Sequence, residues 1–158
     1  MNSHFVLMAA TTALCAASAF AAEHCVNTSH GCVALNPDVV ASTLHQTICK
    51  KGYTRTVRPA TSYIAGVKSK LMRQSGIPIS RANEFELDHI VPLSLGGHPR
   101  ALSNLMLQEW DGPAGAHVKD KLEVMLQRRV CRGGITLAEA QYCIAEDWQV
   151  CLAQYRKR

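Results

Sequence analysis

Residues 85–121 read FELDHIVPLSLGGHPRALSNLMLQEWDGPAGAHVKDK, and the reading of this stretch decides the fold. Phe85 to Val91 has the alternation of a strand, which Pro92 ends because it has no N–H to give a sheet ladder. Asn104 to Gln108 is its shorter partner. Between them Gly96-Gly97 supplies the positive φ that a tight reversal needs. Asp111-Gly112-Pro113 is a turn, and a helix is expected from Ala114 to about Val130, with Val118, Leu122, Met125, Leu126 and Arg129 along one side. Asp88 and His89 thus stand at the end of one strand, Asn104 at the start of the next, and His117 near the start of a helix.

Outward from this centre the elements are mostly helical. Residues 22–35 are polar, carry Cys25 and Cys32 and have no period, as an extended arm pinned by its cysteines would. Asn36-Pro37-Asp38 reads as a helix start, followed by Val40, Leu44 and Ile48 at every fourth residue and a stop at Lys50-Lys51-Gly52. Tyr53 to Pro59 alternates like a short extended segment. Thr61 or Ser62 opens a helix with Ile64, Val67, Leu71 and Met72 on one face and Lys68, Lys70 and Arg73 on the other, a charged face that suits solvent first and phosphates second. Thr136-Leu-Ala-Glu139 is a capping box opening the last helix, whose stripe places Trp148 in the core. The expected fold class is α+β: mostly helical, with a short antiparallel β-hairpin packed on a helix at residues 84–130 and flanking helices, all in one domain spanning 22–158.

Phe5 to Ala17 is an uncharged run of 13 residues followed by Ala19-Phe20-Ala21, the small-x-small pattern of a cleavage site. It is too short to span a bilayer and suits a signal peptide over residues 1–21, the alternative being a buried N-terminal helix. Cys15 follows Leu14 rather than a small residue, which argues against a lipid anchor. Export to a periplasm or to the exterior, without a stable membrane anchor, is the expectation. Cleavage after Ala21 leaves six of the seven cysteines, an even number that favours disulfides in an oxidising compartment without fixing their pairing. One pairing is argued against by geometry. On a continuous helix from Ile135 to Tyr155, Cys143 and Cys151 would stand roughly 12 Å apart along the axis, while a disulfide needs Cα atoms within about 7 Å. The net charge of +5 is compatible with an anionic partner but decides little.

An acid and two imidazoles brought together by a hairpin and a helix can hold one divalent cation and keep one imidazole as a base. Asp88 is a hard oxygen ligand, His117 an imidazole ligand, and a neutral His89 could take a proton from water. On a regular strand Asp88 and His89 face opposite ways, so their sharing a site requires the backbone to bend. Taken singly, each residue says little.

The ordered set says more. Asp-His, Gly-Gly, Asn-Leu and then His-x-Lys-Asp-x-Leu-Glu resembles the HNH endonuclease family of the ββα-metal fold, specifically over Phe85 to Glu123. The likeness extends more weakly through Cys49 to Pro59 and Thr136 to Gln141, which look like segments of exported or phage-type members. The resemblance implies a metal-dependent endonuclease cutting DNA with little sequence preference. It makes Asp88 and His117 the metal ligands and His89 the general base. It makes Asn104 either the residue that holds the loop and orients His89 or a member of the metal shell. Many relatives carry a further histidine one helical turn on, where this chain has Lys121. Two protein ligands with water and substrate suit magnesium or manganese better than a closed zinc site, with zinc or nickel as lesser options. The paired CxxC clamps of other relatives are absent, and disulfides would supply that rigidity. Arg55, Arg58, Arg100, Lys119 and Lys121 are the expected phosphate contacts. RNA as substrate, a nucleic-acid-binding module without turnover, and a disulfide scaffold holding a structural ion stand as alternatives.

Overall fold

The computed structural model describes residues 24–156, and the readings placed on residues 1–21, Cys15 included, lie outside them. Among the described residues two antiparallel hairpins and four helices make an α+β fold. In chain order they are β1 (Cys25–Thr28), β2 (Gly31–Ala34), α1 (Tyr53–Val57), α2 (Thr61–Gln74), β3 (Phe85–His89), β4 (Leu105–Glu109), α3 (Ala116–Cys131) and α4 (Leu137–Arg156), with short 3-10 turns between them.

The polar arm is itself a hairpin, closed by the Cys25–Cys32 disulfide. In the second hairpin Asp88 pairs with Met106 and His89 with Leu105. Strand β3 alternates: Phe85, Leu87 and His89 are buried, while Glu86 and Asp88 are half-exposed on the other face. Helix α2 lies against both strands, and α3 lies against α4 and the 3-10 turn Leu93–Leu95 that follows β3. A cluster of buried side chains runs through β2, the loop after β3, α3 and α4, including Val33, Val91, Leu95, Leu122, Leu126 and Ile144.

The long loop between β3 and β4 joins the two hairpins. Asn36 N–H donates to Gly96 O, and His98 N–H donates to Ala34 O. Gly96 takes φ of 78°, as the reversal demands. Gly97 is needed for a different reason: a Cβ there would stand 1.7 Å from Val91 O and 2.6 Å from Asn104 Nδ2.

Three expectations are corrected. Residues 36–52 do not form an α-helix but a run of turns around the 3-10 helix Ala41–Thr43. Thr43 Oγ1 accepts from Val40 N–H and donates to Asp38 O, and Thr47 Oγ1 donates to Thr43 O. These side chains offer the backbone alternatives to helical bonds. Tyr53–Val57 is a helical turn, α1, rather than extended; Arg58, held by the following Pro59, is extended (φ −63°, ψ 129°).

The third correction is the Cys143–Cys151 disulfide, with Cα atoms 5.4 Å apart. Helix α4 is not continuous: Asp147 leaves helical geometry (φ −160°, ψ 98°), and this break brings the two cysteines together. Asp147 Oδ1 accepts from Gln149 N–H at 2.9 Å and Val150 N–H at 3.1 Å, so the residue that breaks the first half caps the second. Trp148 packs partly buried against the core, as its stripe implied. The third disulfide, Cys49–Cys131, ties the turn region to the end of α3. Three disulfides fit a protein of an oxidising compartment. Among the described residues no helix is long and apolar enough to cross a membrane.

Candidate active site

Asp88 and His89, the last two residues of β3, both line a pocket of about 570 Å³. They stay on opposite faces of the strand, Asp88 paired with Met106 and His89 with Leu105, and the pocket reaches both because the strand ends at His89. Arg58, from the extended residue after α1, lines the same pocket, as do Glu86, Trp110, Asp120 and Glu123.

His89 is buried, and its Nε2 lies 3.1 Å from Pro99 O. A carbonyl only accepts, so Nε2 carries the proton and donates, leaving Nδ1 with its lone pair. Burial drives the imidazole below its ordinary pKa, more strongly than the Pro99 bond and the Asp88 charge raise it; Arg58 and Lys119 add to the lowering. His89 is therefore neutral at pH 7 with a defined tautomer.

Asn104 is fully buried. Its Oδ1 accepts from Val91 N–H at 2.8 Å, and its Nδ2 donates to Val91 O and His98 O, each at 3.0 Å. It clasps both ends of the loop whose next residue, Pro99, holds His89. The side chain thus acts on His89 through the loop and not by a direct bond, and its polar atoms are already engaged.

Asp88 has two tethers. Oδ1 accepts from His89 N–H at 2.7 Å and Oδ2 from Lys119 Nζ at 2.8 Å. Lys119 is 1% exposed, and its ammonium also donates to His89 O at 2.8 Å and Glu123 Oε1 at 2.7 Å. Burial works against the charge of Lys119, but Glu123 and Asp88 outweigh it and raise the lysine above its ordinary pKa. Burial pushes Glu123 up despite the lysine. Lys119 is corrected from a phosphate contact to an internal cation: all three of its donors are used and it has no surface to offer. Its place on the buried stripe of α3, with Ala116, Leu122, Leu126 and Val130, was the available signal.

The comparisons with known proteins add nothing to this geometry. No family model, no curated protein and no solved structure matches the chain.

The remaining sequence candidates lie outside the pocket. His117 is exposed, its ring 5.3 Å from that of Trp110 and its Nε2 3.9 Å from Asp111. It stands beside the pocket's Trp110 wall and does not line the pocket itself. Arg100 is exposed over the Tyr63 ring, whose hydroxyl donates to Arg100 O. Lys121 is exposed, and Arg55 faces a different groove. Lys68, read as part of a solvated face, instead donates to Ala82 O and Phe85 O and pins α2 to the start of β3.

The oxygen donors sit at the pocket, while His117 stands outside it. Each Asp88 oxygen accepts one hydrogen bond and keeps a lone pair, the His117 ring nitrogen has no hydrogen bond at 3.9 Å, and the pocket is rich in carboxylate oxygen. Among the described residues no three His, Cys, Asp or Glu side chains form a cage, so an ion here would need water or substrate to complete its shell.

Sequence reading missed Glu86, Asp120 and Glu123. Glu86 could have been found, because it shares a strand face with Asp88. Burial, followed by the charges of Asp88, Asp120 and Glu123, pushes its pKa up from 4.5 to about 7. With the folded pKa raised, Glu86 contributes stability that is full below pH 4.5 and is lost as pH rises through 7. At 1.36 kcal/mol per unit, discounted because the side chain is only half-buried, this loss is about 1–2 kcal/mol. In EDTA, urea denaturation from pH 5 to pH 8 is expected to show that decline in the wild type and a flatter curve for Glu86→Gln. Parallel curves would contradict the assignment.

Proposed function

We propose that this protein is an exported, metal-dependent endonuclease of the HNH type, hydrolysing phosphodiester bonds in DNA with little sequence preference. The observation that carries it is His89: buried, neutral, held in one tautomer by Pro99 O, and sharing a pocket with Asp88 and Arg58. A base for water needs a free lone pair at neutral pH, and His89 Nδ1 has one. Arg58 supplies a guanidinium suited to a phosphate oxygen. Asn104 keeps the loop in the shape that presents Pro99 O. Lys119 fixes the carboxylate of Asp88.

Asp88 and His117 would hold the divalent cation, magnesium or manganese in preference to zinc or nickel. When bound, the ion would relieve charge on the phosphate and stabilise the leaving oxygen. In a plasmid-nicking assay, purified protein is expected to cut with magnesium or manganese and to stop in EDTA. Asp88→Ala and His117→Ala are each expected to weaken metal affinity by about 10-fold or more in isothermal titration, as loss of a ligand does. Unchanged titrations would remove them as ligands, and cutting undiminished by EDTA would remove the metal from the reading. A single-stranded RNA of the same length, run beside the DNA, tests the choice of nucleic acid.

A further inference from the structure

The pocket poses an electrostatic problem for a polyanion. Glu86, Asp88, Asp120 and Glu123 line it, against Arg58 and a Lys68 already committed to two carbonyls. A nucleic-acid strand entering there must gain its attraction from elsewhere on the surface.

A second groove, of about 820 Å³, lies on the other side of α1 and is lined by Lys50, Lys51 and Arg55 with no acidic side chain. All three cations are exposed, and none takes part in an ion pair among the described residues. The groove's position is set by covalent and polar ties to the end of α3. Cys49 is bonded to Cys131, and Gln127, which lines the pocket, donates to Ile48 O at 2.7 Å. Arg128 and Arg132, both exposed, flank Cys131. Helix α1 is the shared wall: Thr54 and the following Arg58 line the pocket, while Arg55 and Thr56 line the groove.

We propose that this groove is a phosphate-tracking subsite. Lys50, Lys51 and Arg55 hold the backbone of a polynucleotide across α1 from the phosphodiester that enters the Asp88–His89 pocket. The inference rests on the nuclease reading and deepens it. The substrate is a strand that continues past α1, and small phosphate esters lack the part that binds. The Cys49–Cys131 disulfide holds subsite and pocket in register.

The test is fluorescence anisotropy with a labelled single-stranded DNA of about 20 nucleotides in EDTA, across a salt series. Lys50→Gln/Lys51→Gln/Arg55→Gln is expected to raise Kd on the order of tenfold and to flatten the log Kd against log salt slope by about 2, the value for three phosphate contacts on a single strand. Lys70→Gln/Arg73→Gln on exposed α2 positions, which lowers net charge without touching the groove, is expected to change the slope by less than about 0.5. A triple variant that binds like wild type overturns the subsite. So does a control that weakens binding as much, because net charge alone then accounts for affinity. Manganese-dependent hydrolysis of bis-p-nitrophenyl phosphate, run on the same proteins, is expected to be equal in wild type and triple variant; a loss there would overturn a role confined to strand binding. Absence of hydrolysis in the wild type would strike the nuclease reading alone, since the anisotropy measurement needs no turnover.

Discussion

His89→Ala is expected to bind DNA as the wild type does and to cut it about 10²- to 10⁴-fold more slowly, the contribution of a positioned general base. The effect is assigned to kcat because His89 is buried and its Nε2 is spent on Pro99 O, leaving one nitrogen to do chemistry and little surface for binding. The acid limb of the wild-type rate profile should follow the same imidazole. Its pKa is lowered by burial, so activity should persist into pH values below the ordinary 6.5 and then fall as His89 takes up a proton. Initial rates of plasmid nicking from pH 5 to 8, with binding measured in EDTA, separate the two effects. Truncation also leaves Pro99 O without its donor, at a stability cost of about 1–3 kcal/mol, so a melting curve belongs beside the rates. A folded His89→Ala protein cutting at the wild-type rate would remove the base.

Lys119→Met carries the largest expected loss of stability, about 3–5 kcal/mol. Methionine has a similar length and no charge, so the packing of α3 is nearly kept while three acceptors lose their donor. Two are carboxylates, Asp88 and Glu123, in a place where the lysine was 1% exposed. The deficit in urea denaturation should shrink toward acid pH, because Glu123, already pushed up by burial, can then take a proton. Adding Glu123→Gln should recover part of it by removing one uncompensated charge. A loss below about 1 kcal/mol would mean that the three contacts contribute no more than a surface pair.

How far the residues announced this arrangement depends on the range over which each signal acts. The β3 and β4 strands, α2, α3 and the start of α4 were legible because their determinants are local. Apolar alternation ends at Pro92, the reversal is at Gly96, and Thr136 and Glu139 bond reciprocally. Residues 36–59 were misread because their pattern was equally local but weaker than its competitors. The fourfold spacing of Val40, Leu44 and Ile48 lost to threonine hydroxyls bonding the backbone. Asn36 Nδ2 donates to Tyr53 Oη, across 17 residues, a contact no window contains.

The cysteines show the same division. Their even number implied disulfides, but the pairing of Cys143 with Cys151 depends on one residue's backbone angles at Asp147. Beside that break Ser29 holds Glu146 through N–H and hydroxyl, from the other end of the chain.

By itself the sequence determined that a strand carrying an acid and an imidazole would stop by Pro92, that a glycine pair would reverse the chain, and that a helix would follow. These follow from periodicity and from the φ and hydrogen-bond limits of glycine and proline, which need no partner. Only the tertiary structure decided that His89 is a buried, neutral imidazole and Lys119 an internal counter-ion. A side chain's charge and tautomer are set by burial and by what lies opposite, here a carbonyl 10 residues ahead and carboxylates 31 residues behind and 4 ahead along the chain.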